Sequence, residues 1–168
     1  MDNFLDKHLL LANKNLIITI HYGENIDKNI FNIKLSKEQI NELIKNVATN
    51  YKYKINHTSS IHKYKIDNTV ISRINNNIEY EIQNTTDTLS HECLFLKVTE
   101  IQKDSMIPES TENCHSSETY DLMTITINNT VELHVCDYSE YYTAYISLKK
   151  PVSCSILKDI LIKIFHTS

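Results

Sequence analysis

At 168 residues, 41% of them hydrophobic, and a net charge of −4, the chain can bury a core and is not generally disordered. Its single glycine, Gly23, excludes the glycine-rich loops that cradle phosphates, and the acidic balance opposes general nucleic-acid affinity. No apolar run reaches the roughly 18 residues of a membrane-crossing helix.

Arg73 is the only arginine, and Asn, Ile and Lys are abundant. This is the bias of an A+T-rich genome, as in some large DNA viruses, protists and low-GC bacteria. The start Met1-Asp2-Asn3-Phe4 lacks the basic opening of a signal peptide, so an intracellular, cytoplasmic location is expected. The four cysteines, Cys93, Cys114, Cys136 and Cys154, are then expected as thiols.

In chain order, residues 1–13 predict a short helical lead-in. Asn15–His21 alternates with Leu16, Ile18 and Ile20 on one face and predicts a strand. Gly23–Lys28 predicts a turn, and Phe31, Ile33 and Leu35 line a second strand. Ser36 and Gln39 have capping-box spacing, with Leu35 and Ile40 placed as a hydrophobic staple. Ile40, Leu43, Ile44 and Val47 form the buried stripe of a helix that stops near Asn50.

Short strands follow. Tyr51, Tyr53 and Ile55 oppose Lys52 and Lys54; Tyr64 and Ile66 oppose Lys63 and Lys65. Thr69–Ile74, Ile78–Gln83 and Cys93–Ile101 predict three more. Residues 102–119 are rich in Ser, Thr, Glu and Asp and predict a mobile acidic loop. Charge is segregated: residues 50–75 hold five bases and one acid, whereas 76–140 hold 13 acids and two lysines.

The C-terminal third has the strongest pattern. Met123, Ile125 and Ile127 alternate with polar residues, as do Val131, Leu133 and Val135. A two-residue turn would set Ile125 opposite Glu132. A three-residue turn, Asn128-Asn129-Thr130, sets Ile127 opposite Val131 and Ile125 opposite Leu133, with all six apolar residues on one face. That register is predicted, with an Asn in the left-handed conformation. Tyr141–Leu148 predicts a further strand. Ser153 or Ser155 caps a helix to Phe165 whose Leu157, Ile160, Leu161 and Ile164 lie on the sheet. The fold class expected is α+β: a single domain over 1–168, with an antiparallel sheet of about six to eight strands and two helices packed on it. In element order it resembles polo-box, pleckstrin-homology and helix-grip domains, and order alone does not fix function.

Three constellations were candidates for chemistry. Glu79-Tyr80-Glu81 puts two carboxylates on one side of a strand, as in the metal-dependent triphosphatases of capping systems, where paired carboxylates hold a metal inside a β-tunnel. Those tunnels have more than one such pair, with Arg and Lys for the phosphates. With no second Glu-x-Glu and one arginine, a solvated strand face is the reading preferred. His91/Cys93, Cys114/His115 and His134/Cys136 supply enough zinc ligands, but one intervening residue is not the usual spacing. Lys52, Lys54, Lys63 and Lys65 lie on the face opposite the tyrosines, so stacking and phosphate contacts would not cooperate, and the lysine face is read as solvated.

No catalytic residue, metal or cofactor is therefore assigned. The function expected is a non-enzymatic protein–protein interaction module, possibly a homodimer, with an interface of Tyr138, Tyr141, Tyr145, Glu132 and His134 on an exposed sheet and its edge. The alternatives are a small-molecule or lipid-binding helix-grip domain, and a metal-dependent phosphohydrolase using Glu79 and Glu81.

Overall fold

The computed structural model describes residues 1–27, 29–103 and 116–167. It is α+β. A short helix α1 (Asp2–His8) and a 3-10 turn (Leu9–Leu11) lead into β1 (Leu16–Tyr22), the hairpin β2 (Glu24–Asp27) and β3 (Ile30–Asn32), and helix α2 (Lys37–Asn50). A meander follows: β4 (Tyr53–Ile66), β5 (Thr69–Ile74), β6 (Asn77–His91), β7 (Leu94–Lys103), β8 (Ser116–Ile127), β9 (Val131–Asp137) and β10 (Tyr142–Leu148). Helix α3 (Cys154–Phe165) closes the chain. Among the described residues, eight strands form one closed antiparallel barrel in the order β1-β10-β9-β8-β4-β5-β6-β7, with β7 returning to β1.

The barrel has two faces of opposite chemistry. Outward-pointing Ile18, Ile20, Leu94, Leu96, Ile125 and Leu133 pack with all three helices into one core. Its α3 contribution is Leu157, Ile160, Leu161 and Ile164, all nearly inaccessible to solvent. The space between the wall and α3 is filled by these side chains, which leaves no helix-grip cavity under that helix. The opposite alternation points inward, and on every barrel strand except β5, where it is Val70, Ser72 and Ile74, it is the more polar set.

Several local expectations hold. Ser36 accepts from the Gln39 N–H at 3.2 Å, and Gln39 Oε1 accepts from the Ser36 N–H at 2.9 Å, completing the capping box. Ser153 caps α3, its hydroxyl accepting from the Ile156 N–H at 3.2 Å. The β8–β9 hairpin has the three-residue register, Ile125 opposite Leu133 and Ile127 opposite Val131. Asn128 and Asn129 both adopt left-handed φ, 49° and 58°.

Others are corrected. Gly23–Lys28 is not simply a turn, because β2 begins at Glu24. Gly23 is the pivot: a Cβ there would stand 2.1 Å from the Asn32 carbonyl oxygen, so only glycine fits where β2 folds onto β3. The two short strands predicted within 51–66 are one 14-residue strand, β4. A bulge between Thr58 and Ile61 bends it, with Ser60 at φ 54°. The predicted acidic loop is shortened from both ends by β7 and β8, and its remainder, 104–115, lies outside the described residues.

Candidate functional site

The inward set follows from the register. In one row across β8, β4, β5 and β6, Glu118, Lys63, Ser72 and Glu79 are neighbours. In the next, Lys65, Val70, Glu81 and Lys103 follow one another across β4 to β7. Deeper in, Lys97 on β7 stands beside Thr19 on β1. His21 on β1, Tyr145 on β10 and His134 on β9 form a stack, with His21–Tyr145 ring centres 5.2 Å apart and His134–Tyr145 5.0 Å.

Electrostatics mark the lysines. Burial pulls the Lys97 pKa below its ordinary value, and the positive charges of Lys65 and Lys63 pull it further. These three side chains therefore converge inside the barrel. Lys63 also lies over the Tyr120 ring at 5.6 Å. Burial first, and the Lys97 charge second, push His21 down to about 4. His134 is likewise at about 4, chiefly through burial, with Glu132 opposing and Lys149 and Lys63 assisting. Both imidazoles are neutral at pH 7. His134 Nδ1 meets the Thr124 hydroxyl at 3.1 Å and Nε2 faces Glu132 at 3.4 Å. The Thr19 and Thr99 hydroxyls are buried with no hydrogen-bond partner among the described residues.

Beside Lys63 and the histidines the interior is packed with side chains. Ile61, Tyr120 and Cys136 form a second cluster with Tyr138 and Tyr145 against it. The β2–β3 hairpin leans on the barrel with its Phe31 ring 5.6 Å from that of inward-facing Phe95.

This geometry turns Glu132, His134 and Tyr145 of the predicted interface inward. Tyr145 points into the barrel, where burial raises its phenol pKa. His134 is only 9% exposed, not outward, and Glu132 points inward beside it. Tyr138 stacks on Tyr141 at 5.0 Å and its hydroxyl donates to Glu118 at 3.2 Å, while the Tyr141 ring also lies under the Lys34 ammonium. Among the described residues the barrel is closed and leaves no free strand edge; only the separate β2–β3 hairpin has edges. The physical reason is closure: in an open sheet the polar face meets water, whereas in a barrel it lines the inside. The same reason corrects Glu79 and Glu81, which sit on the inner side of β6.

A divalent metal is what the paired carboxylates would imply, and the donor set does not fit it. Among the described residues, no three His, Cys, Asp or Glu side chains are grouped to hold a metal ion. Glu81 accepts from the Gln83 amide at 3.3 Å, Glu118 from Tyr138, and Glu132 faces His134. The zinc set is not assembled either. Cys136 is buried inside the barrel, its thiol pushed up to about 11 by burial, while Cys93 donates to the Phe165 carbonyl at 3.7 Å. Cys114 and His115 lie outside the described residues.

No protein-family model matches the sequence, and no curated protein matches it. Solved structures do. The mimivirus capping enzyme triphosphatase superposes with a TM-score of 0.67 at 11% identity, over 99% of this chain and 97% of that one. The chain shares its fold with RNA triphosphatases. The RNA triphosphatase domain of the trifunctional mimivirus mRNA capping enzyme gives 0.67 at 12% identity, over 98% and 92%. S. pombe Pct1 RNA triphosphatase gives 0.65 at 10%, over 94% and 79%. Together with the inward turn of its proposed interface, this fold overturns the expectation of a protein–protein interaction module. No described helix is long and apolar enough to cross a membrane.

Proposed function

We propose that this chain is a phosphohydrolase-type domain that takes the oligophosphate end of an RNA or nucleotide into its barrel and releases the terminal phosphate. The observation that carries the reading is the convergence of Lys63, Lys65 and Lys97 inside a closed barrel. Like charges drawn close raise the energy of the ligand-free protein, most for the half-buried Lys63 and Lys97, and a polyanion lowers it again. The fold shared with RNA triphosphatases supports the same class of ligand.

The chemistry asked of the chain is electrostatic. A water molecule attacks the terminal phosphorus, the bond to the bridging oxygen breaks, and negative charge spreads over the equatorial and leaving oxygens. Ammonium groups already in place stabilise that charge without reorganising. His134, with a pKa near 4, is too weak a base to take the water's proton efficiently.

The test is phosphate release from 5′-triphosphate RNA, ATP and inorganic tripolyphosphate by the full chain, beside Lys97→Ala. Release by the parent and its loss in the variant are expected. No release under any ionic condition, together with no binding of these ligands, would overturn the reading.

A further inference from the structure

We infer that the barrel captures its anion without a bridging divalent cation, through ammonium groups and hydroxyls alone. This rests on the oligophosphate reading above and specifies how that site works. Four inward carboxylates are described, Glu79, Glu81, Glu118 and Glu132, and they are spread over β6, β8 and β9. Three of them already face donors of the chain, namely Gln83, Tyr138 and His134. The fourth, Glu79, is exposed near the barrel mouth.

On β1 and β10 the inward positions are Ile17, Thr19 and His21, and Thr143, Tyr145 and Ser147. None is a carboxylate, so this wall offers a hard cation no charged oxygen ligand.

The same wall suits an anion. Lys97 has Thr19 as its cross-strand neighbour and Thr99 two residues along on the same face. Both hydroxyls are buried donors without a partner among the described residues, and Thr99 is only 6% exposed. Among the described residues neither Lys63 nor Lys97 forms an ion pair; Glu118, the cross-strand neighbour of Lys63, accepts from Tyr138 instead. Two ammonium groups and two hydroxyls converging on one region offer donors to phosphoryl oxygens and no carboxylate to a metal.

The experiment is calorimetric titration of the full chain with inorganic tripolyphosphate, in EDTA and in excess Mg²⁺. Binding in EDTA at least as tight as in Mg²⁺ is expected, because Mg²⁺ competes for the ligand's charge. Lys97→Met is expected to weaken binding in EDTA at least tenfold, with Lys97→Arg restoring most of it. The Glu79→Gln/Glu81→Gln double variant is expected to bind equally or a few-fold tighter, since it removes repulsion. Binding that needs Mg²⁺ and collapses in the double variant would overturn the inference while leaving the oligophosphate reading standing. Absence of binding in both buffers would overturn both.

Discussion

His21 offers a quantitative check on the barrel interior. It projects from β1 into the barrel, faced by Lys97 from β7 and Tyr145 from β10, with His134 of β9 behind the tyrosine. Its pKa is about 4 in the folded chain, against 6.5 unperturbed. The group is thus depressed on folding. Above pH 6.5 it is neutral in both states and costs nothing. Below that, the unfolded chain takes up a proton the folded chain refuses, so stability falls as pH drops from 6.5 towards 4. At about 1.4 kcal/mol per pKa unit, the loss from this one residue is about 2.5 kcal/mol by pH 4.5. Urea unfolding at intervals between pH 7.5 and 4.5 measures it, comparing the parent with His21→Gln. The parent is expected to lose about 2.5 kcal/mol more than the variant over that range. His134 titrates in both proteins and cancels in the difference. If parent and variant lose stability in parallel, His21 ionises as it would in water and is not enclosed beside Lys97.

Three further outcomes are expected. Ser36→Ala removes the reciprocal cap of α2 and should lower unfolding stability by about 1 kcal/mol, with Ser36→Asp retaining most of it. Leu133→Ala empties a fully buried position between barrel and helices and should cost about 2–5 kcal/mol, read as a lower urea midpoint. Ser60→Gly relieves a left-handed non-glycine residue in the β4 bulge and should raise the midpoint, by up to about 1 kcal/mol; a drop would mean that the serine side chain holds the bulge.

What could be read from the sequence and what could not divide along a physical line. The Ile125–Leu133 register was legible because a one-residue slip would turn six apolar side chains away from the helices. The Ser36 and Ser153 caps were legible because capping is local chemistry. Closure was not, because it depends on β1 meeting both β7 and β10, and nothing near Leu16–Tyr22 announces partners about 80 and 125 residues away. Without closure, Lys63 and Lys65 look like a solvated face, Glu79 and Glu81 like another, and Tyr145 like an exposed aromatic. The clue available was the alternation itself: Lys63 with Lys65, Glu79 with Glu81, Lys97 and Glu132 each lie on the more polar face of one of four strands, a density of mixed charge that suits a lined interior as well as a wet surface.

The position of β1 also governs how the protein is made. It is the first barrel strand to leave the ribosome, yet both its neighbours lie far downstream, at Leu94–Glu100 and Ala144–Leu148. The β4–β7 and β8–β10 meanders can pair as they emerge, through short turns. The seam between them is sealed on one side by β1 and on the other by β4 with β8. Until the last strand is available, β1 carries unsatisfied backbone groups and the apolar Ile18 and Ile20. Such long-range pairing slows folding and leaves the nascent chain open to wrong strand partners. Expression truncated before Leu148 should therefore yield aggregate rather than a smaller barrel, and the yield of the full chain should respond to chaperone supply and slow translation more than to stabilising either meander.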